Sequence, residues 1–516
     1  MLFVGSPQMR IKWFYGDAHI RKGLCTIKMK NQAFNPFLPS YEYIPDAEPY
    51  VFNNRVYIYG SHDCFDGIAY CYNDYVCWSA PVDDLSDWQY EGVIYKKTQD
   101  PMNPEGKHCL YAPDVVQGLD GRYYLYYALD RVGIMAVAVC DTPAGQYEFL
   151  DFIKYPNGNV IGKEGELYQF DPGIFIDENK RIYLYTGFAP RSDTYVHAGA
   201  TGGRPWSAFG SFVMELEPDM VTIKGDYKTL LPTPGNSKGT GFEGHEYFEA
   251  SSPRKINGKY YLVYSSINSH ELCYAVSDKP DEGYVFGGTI VSIGDVYLNG
   301  REPADALNYM GNTHGGLVEV KGQWYIFYHR QTNLHQYSRQ ACAEKVYFQP
   351  DGSIKQVEVT SCGLNPTPLL DNGEYEARIA CNLVSPEGCV FYAFHQKLHT
   401  GNHPYFTQEG KDRESEGNQY IANFKDGALA GFKYFDFKHC TKIVVKVRGT
   451  ATGKIIIFDE FSDTGEINHP WATIEIQPSK TWTEFSAPMA IKTGTHPLYF
   501  TFEGEGSFDF FSFTLS

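Results

Sequence analysis

Gly258-Lys-Tyr-Tyr-Leu-Val-Tyr264 is a tight polar turn running into aromatic and β-branched residues, and the chain repeats this unit five times. The other copies are Arg55-Val-Tyr-Ile-Tyr-Gly60, Gly121-Arg-Tyr-Tyr-Leu-Tyr-Tyr127, Lys180-Arg-Ile-Tyr-Leu-Tyr185 and Gly322-Gln-Trp-Tyr-Ile-Phe-Tyr328. With Tyr57, Tyr124, Tyr183, Tyr261 and Tyr325 as equivalents, the intervals are 67, 59, 78 and 64 residues, each enough for four short strands and one long loop. Asn53-Asn54, Asp120-Gly121, Asn257-Gly258 and Lys321-Gly322 read as hairpin turns feeding the repeated strand. Short strands repeated at this period mean radial repetition, and five copies predict an all-β chain with a five-bladed β-propeller. Alternating β/α units are the rival, but few segments place apolar residues at helical spacing.

The repeat ends near residue 355. Asn365-Pro-Thr-Pro-Leu-Leu370 and Asp371-Asn-Gly373 read as a connector, after which separate strands such as Lys442–Val447, Lys454–Phe458 and Pro497–Phe502 predict a β-sandwich of jelly-roll type. The expected division is an N-terminal extension at 1–30, a propeller at 31–355, a linker at 356–373 and a sandwich at 374–516.

Composition excludes several roles. The formal charge of −18 repels polyanions, so neither nucleic acid nor an anionic membrane is an expected partner, and a neutral ligand such as a sugar fits. No stretch approaches the ~20 apolar residues of a membrane span. The 12 cysteines show no CxxC and no metal-ligand spacing, which suits reduced thiols. Residues 1–30 lack the apolar run of a secretory signal, Met29 precedes the first domain-like segment, and the expected location is cytoplasmic.

In a propeller the leading strand of each blade starts near the axis, so positions ten to twelve residues before the anchor tyrosines should converge. They are Asp46, Asp114, Asp171, Glu249 and His314. Acidic residues are 62 of 516, about one in eight, so four carboxylates in five aligned positions is not a chance pattern. Carboxylates sharing a pocket separate their pKa values, leaving one as a base and one as an acid, the division that glycosidic cleavage requires. A calcium cage would instead favour ligands close together on one loop.

These motifs resemble glycoside hydrolase family 43 over roughly residues 35–350. The resemblance implies hydrolysis of arabinose- and xylose-containing glycans by inversion. It casts Asp46, in Ile44-Pro-Asp-Ala-Glu-Pro-Tyr-Val-Phe52, as general base. Asp171, in Phe170-Asp-Pro172, becomes the carboxylate that raises and orients the acid, and Glu249, in Phe248-Glu-Ala-Ser-Ser-Pro253, the general acid. Tyr111 and Phe170 become aromatic pocket walls, and Arg339 and Asp114 substrate contacts. His314 becomes an axial residue that meets a water or a central calcium, so no cofactor is required and a structural calcium is admitted. Asp46-Ala47 departs from the Asp-Pro or Asp-Gly often found there. The C-terminal part resembles family 6 carbohydrate-binding modules, mainly at Gly494–Glu503 and Phe508–Phe513, with Trp471, Trp482 and Tyr420 as stacking candidates. The expected function is release of terminal α-L-arabinofuranose or β-D-xylose from arabinoxylan- or arabinan-derived oligosaccharides. A non-catalytic sugar-binding propeller is the alternative, with a purely structural protein behind it. Loops 191–205 and 232–244, rich in Gly, Ser and Thr, are expected to roof the pocket.

Overall fold

A computed structural model describes residues 33–163, 165–191, 204–389, 401–412, 418–461, 467 and 469–516. The expected extension at 1–30 and most of the 191–205 loop lie outside them. The described residues contain strands and short 3-10 turns and no α-helix, and no helix is long and apolar enough to cross a membrane.

Five antiparallel meanders follow one another. The first runs through Glu48–Phe52, Arg55–Tyr59, Tyr75–Pro81 and Gln89–Tyr95. Three more four-stranded sheets begin at Leu110–Gln117, Gly173–Ile176 and Tyr247–Ile256, and a three-stranded sheet begins at Leu317–Val320. The repeated aromatic run is the second strand of each sheet. Its side chains face two neighbouring sheets at once, which is why Tyr59, Tyr126, Tyr183, Tyr264 and Tyr328 are all fully buried. Three of the feeding turns, Asn53-Asn54, Asn257-Gly258 and Lys321-Gly322, hold both residues at positive φ, as a two-residue turn matched to strand twist requires.

The leading strands pack against one another in sequence: first on second, second on third, third on fourth, and fifth back on first. Arg254 of the fourth donates from Nε to the Leu317 carbonyl of the fifth at 2.6 Å. A parallel bridge between Ala47 and Gly315 fastens the two ends of this segment together. A Cβ on Gly315 would lie 2.0 Å from the Phe327 carbonyl oxygen, so only glycine lets the chain through here.

Residues 369–516 form two six-stranded sheets around one apolar core that includes Phe432, Phe500, Phe510 and Phe513. The segment expected as a linker, 356–373, is partly structured: Leu369–Leu370 pairs in parallel with Phe435–Asp436 of this second body. The two bodies meet through direct contacts. Arg330 lies 3.9 Å over the Phe406 ring, and Tyr43 donates from its hydroxyl to Gln408 at 2.6 Å. The eleven described cysteines are free thiols.

Candidate active site

Where the leading strands start, a cavity of about 490 Å³ opens. Asp46, Asp171, Glu249, His314, Arg339, Tyr111 and Phe170 all line it, joined by Cys71, Asp130, Arg131, Arg191 and Phe248. Three backbone positions aim the carboxylates. Asp46 has φ 57° and Asp171 φ 42°, and Ala250, next to Glu249, has φ 71°. Left-handed backbone at an alanine carries a steric cost, and it falls where the pairing register slips between Tyr247, Glu249 and Ser252. The slip turns Glu249 into the cavity while the Ala250 N–H donates to Asp171.

Electrostatics divides the acids. Burial, reinforced by the negative charges of Asp171 and Asp46, pushes the Glu249 carboxyl well above the usual range. Burial likewise raises Asp171, to about 7, against the pull of His314 and with the push of Asp46. For His314 burial works the other way, yet Glu48, Asp171 and Asp46 together lift it to about 9. Its Nδ1 stands 3.6 Å from Asp171 Oδ2.

Asp46 is fixed from behind. Its backbone N–H donates to His329 Nδ1 at 3.1 Å, and Arg339 Nη1 donates to its Oδ1 at 3.2 Å. Burial, with Arg339 and His314 nearby, holds the His329 imidazole well below its ordinary value and therefore neutral, as an acceptor Nδ1 must be. Arg339 is in turn gripped by Asp63, with Nε at 2.9 Å and Nη2 at 3.0 Å, in a bidentate pair. Its guanidinium lies 4.7 Å over the Tyr70 ring, and its Nη2 reaches Cys71 Sγ at 3.5 Å. Tyr111 and Phe170 meet edge-on at 5.5 Å, and Phe188 and Phe248 continue the aromatic wall.

Asp114 does not reach the cavity, contrary to the expectation of a substrate contact. It is fully buried beneath it, accepting from the Tyr50 hydroxyl at 2.7 Å and the Ile174 N–H at 2.7 Å. Its offset from the anchor tyrosine is ten residues, whereas those of Asp171 and Glu249 are twelve. Twelve before Tyr124 stands Ala112, which does line the cavity. Asp114 belongs to a second polar layer. There Glu48 Oε2 accepts from Ser252 Oγ at 2.9 Å and Arg254 Nη2 at 3.0 Å. Arg254 also lies 4.6 Å over the Tyr50 ring.

The residues unassigned from sequence, Asp63, His329, Glu48 and Arg254, act through other site residues. Glu48 stood inside a quoted motif and Arg254 directly after another, two residues from Ser252 on the strand Tyr247–Ile256, a spacing that puts both on one face. Asp63 and His329 carried no such signal.

In the second body, Trp471 is buried in the core, and Arg448 covers Trp482 at 4.2 Å and Tyr420 at 5.0 Å.

Residues 35–354 match the family model described as Glycosyl hydrolases family 43. A Xylosidase/arabinosidase of Thermoclostridium stercorarium is 52% identical over 489 residues, covering 94% of this chain and 99% of that protein. A Xylosidase/arabinosidase of Bacteroides ovatus is 30% identical, covering 56% of this chain and 86% of its own. A solved arabinoxylan arabinofuranohydrolase from Bacillus subtilis, in complex with cellotetraose, aligns with a TM-score of 0.48 at 20% identity, covering 94% and 98% of the two chains.

Proposed function

This chain belongs to glycosyl hydrolases family 43, and on that premise we propose that it releases terminal α-L-arabinofuranose or β-D-xylose from arabinoxylan- or arabinan-derived oligosaccharides by inversion. The observation that carries the reading is one cavity gathering Asp46, Asp171 and Glu249, with Glu249 held protonated above the usual carboxyl range. Glu249 donates its proton to the leaving glycosidic oxygen. Asp46, steadied by Arg339 and His329, takes a proton from the water that attacks the anomeric carbon from the opposite face. Asp171 keeps the Glu249 proton in place through its charge and through its bond from the Ala250 N–H. Tyr111 and Phe170 supply apolar faces for the sugar ring, and Arg339 adds a donor beside it.

We read the five meanders as the blades of a propeller and the two sheets of residues 369–516 as a jelly-roll sandwich, which therefore begins inside the segment expected as a linker. The likeness of the sandwich to a carbohydrate-binding module makes its oligosaccharide affinity a separate proposal. On the axis, Glu48 Oε1 and His314 Nε2 stand 3.7 Å apart, and neither has a hydrogen-bond partner. That pair fits a water, or a calcium held by Glu48 and reached by His314 through water, and a calcium there would supply fixed positive charge beneath the acids. Hydrolysis of xylobiose followed by proton NMR tests the mechanism. The α-anomer of xylose appears first if the reaction inverts; the β-anomer appearing first overturns it.

A further inference from the structure

Away from the cavity, His245, Glu271 and Cys273 bring three different ligand types together. Glu271 and Cys273 are two apart on the strand Glu271–Ser277, so both side chains leave the same face. Thr289 pairs directly with Cys273 from the next strand, and His245 folds over from the loop preceding Tyr247–Ile256. The ligand atoms of the three residues all lie within 4.8 Å of one another.

We propose that this triad binds one zinc-class divalent cation. His245 Nδ1 stands 2.8 Å from Glu271 Oε1 and 3.9 Å from Cys273 Sγ. Tetrahedral bonds of about 2.0–2.1 Å to nitrogen and oxygen and about 2.3 Å to sulfur place such ligands roughly 3.3–3.6 Å apart. One separation has to open by about half an ångström and the other to close by about a third, within reach of side-chain rotation. The ion takes the place of the proton between His245 and Glu271 and of the Cys273 thiol proton, both of which pass to solvent as the ligands bind. A surrounding set of donors already orients the carboxylate. Asn268 Nδ2 donates to Oε1 at 2.9 Å, Ser266 Oγ to Oε1 at 2.5 Å, and Thr289 Oγ1 to Oε2 at 2.7 Å.

The buried Cys273 thiol sits where the apolar cluster of Tyr247, Tyr264 and Ala275 meets this polar group, 3.8 Å from Thr289 Oγ1. The His245 ring is held flat against Phe286 at 5.0 Å, yet a quarter of its side chain stays exposed, which leaves an entry path and an open fourth position. A mixed nitrogen, oxygen and sulfur set selects zinc or cadmium over calcium and magnesium, which take oxygen. Because His245 lies four residues before Glu249, the ion would tie the loop leading into the catalytic strand to its neighbour.

Equilibrium dialysis of the reduced full chain against zinc, with cadmium absorption in the ultraviolet as a thiolate reporter, tests this. One zinc per chain, a cadmium–thiolate band and a rise in Tm with zinc are expected. Cys273→Ser should abolish the band and weaken zinc binding at least about tenfold. His245→Gln, at a partly exposed position, should weaken it comparably without disturbing the core, and Cys64→Ser should change nothing. Absence of bound zinc in the folded wild-type chain, or a band and affinity that survive both triad variants, overturns the proposal.

Discussion

Two layers of charge sit one above the other on the same leading strands, and they differ in how they are balanced. The upper layer, Asp46, Asp171 and Glu249, faces an open cavity and is short of cations: Arg339 is already gripped by Asp63, and His314 serves two sides. The lower layer, Glu48 and Asp114, is closed: Ser252, Arg254, Tyr50 and the Ile174 N–H meet three of its four oxygens with hydrogen bonds, and Glu48 Oε1 faces His314 at 3.7 Å. Where charge is left crowded, protons are held at unusual strength and become available for chemistry. In the closed layer burial and the Glu48 charge raise Asp114 to about 7 as well, but the cavity does not reach it, and there the same residue types act as fasteners between sheets.

Glu249→Gln should separate the layers most clearly. Turnover of xylobiose should fall about 10³-fold, and turnover of a dinitrophenyl xyloside, whose leaving group needs no proton, far less. Its Tm should hold or rise. A carboxyl raised above its unfolded value adds stability only at low pH, and that stability is lost as pH climbs through the folded value, so at neutral pH a glutamine removes a liability. An equal loss on both substrates would take the acid role from Glu249.

Arg254→Met should do the reverse, costing about 3–5 kcal/mol in chemical denaturation, because Glu48 loses the cation that hydrogen-bonds it and keeps only His314, 3.7 Å away, beside its buried charge. The fraction still folded should keep most of its kcat. Asp171→Asn should shift the alkaline limb of the kcat/KM profile to lower pH, since a negative charge that raises Glu249 is gone and the acid deprotonates sooner. A limb that stays put would mean Asp171 does not act on the acid. Tyr50→Phe should have the smallest effect, about 1 kcal/mol of stability from the lost bond to Asp114, with kinetics unchanged.

The upper layer was largely legible in the sequence because its members sit at fixed offsets from a repeated strand. Asp46, Asp171, Glu249 and His314 follow from counting back along five copies of one hairpin. Asp114 marks the limit of that counting. A window of ten to twelve residues spans a full two-residue strand period, so it takes in neighbouring rungs of one face, and the irregular pairing between Tyr111 and Asp114 shifts the count again. Asp63 was illegible for another reason. It lies in the loop after Arg55–Tyr59, off any register, and meets Arg339 only when the first and fifth sheets are side by side. In the second body no repeat disciplines the count, so aromatic identity alone left sugar stacking and core packing both open for Trp471, which is interior.

The bridge between Ala47 and Gly315 carries a consequence for synthesis on the ribosome. Asp46 takes its bonds from His329 and Arg339, so its surroundings are supplied by chain translated almost 300 residues later. A nascent chain that already displays Glu249 still lacks the groups that fix Asp46. The cavity gains its full set of side chains only when the fifth sheet has been made and packs against the first.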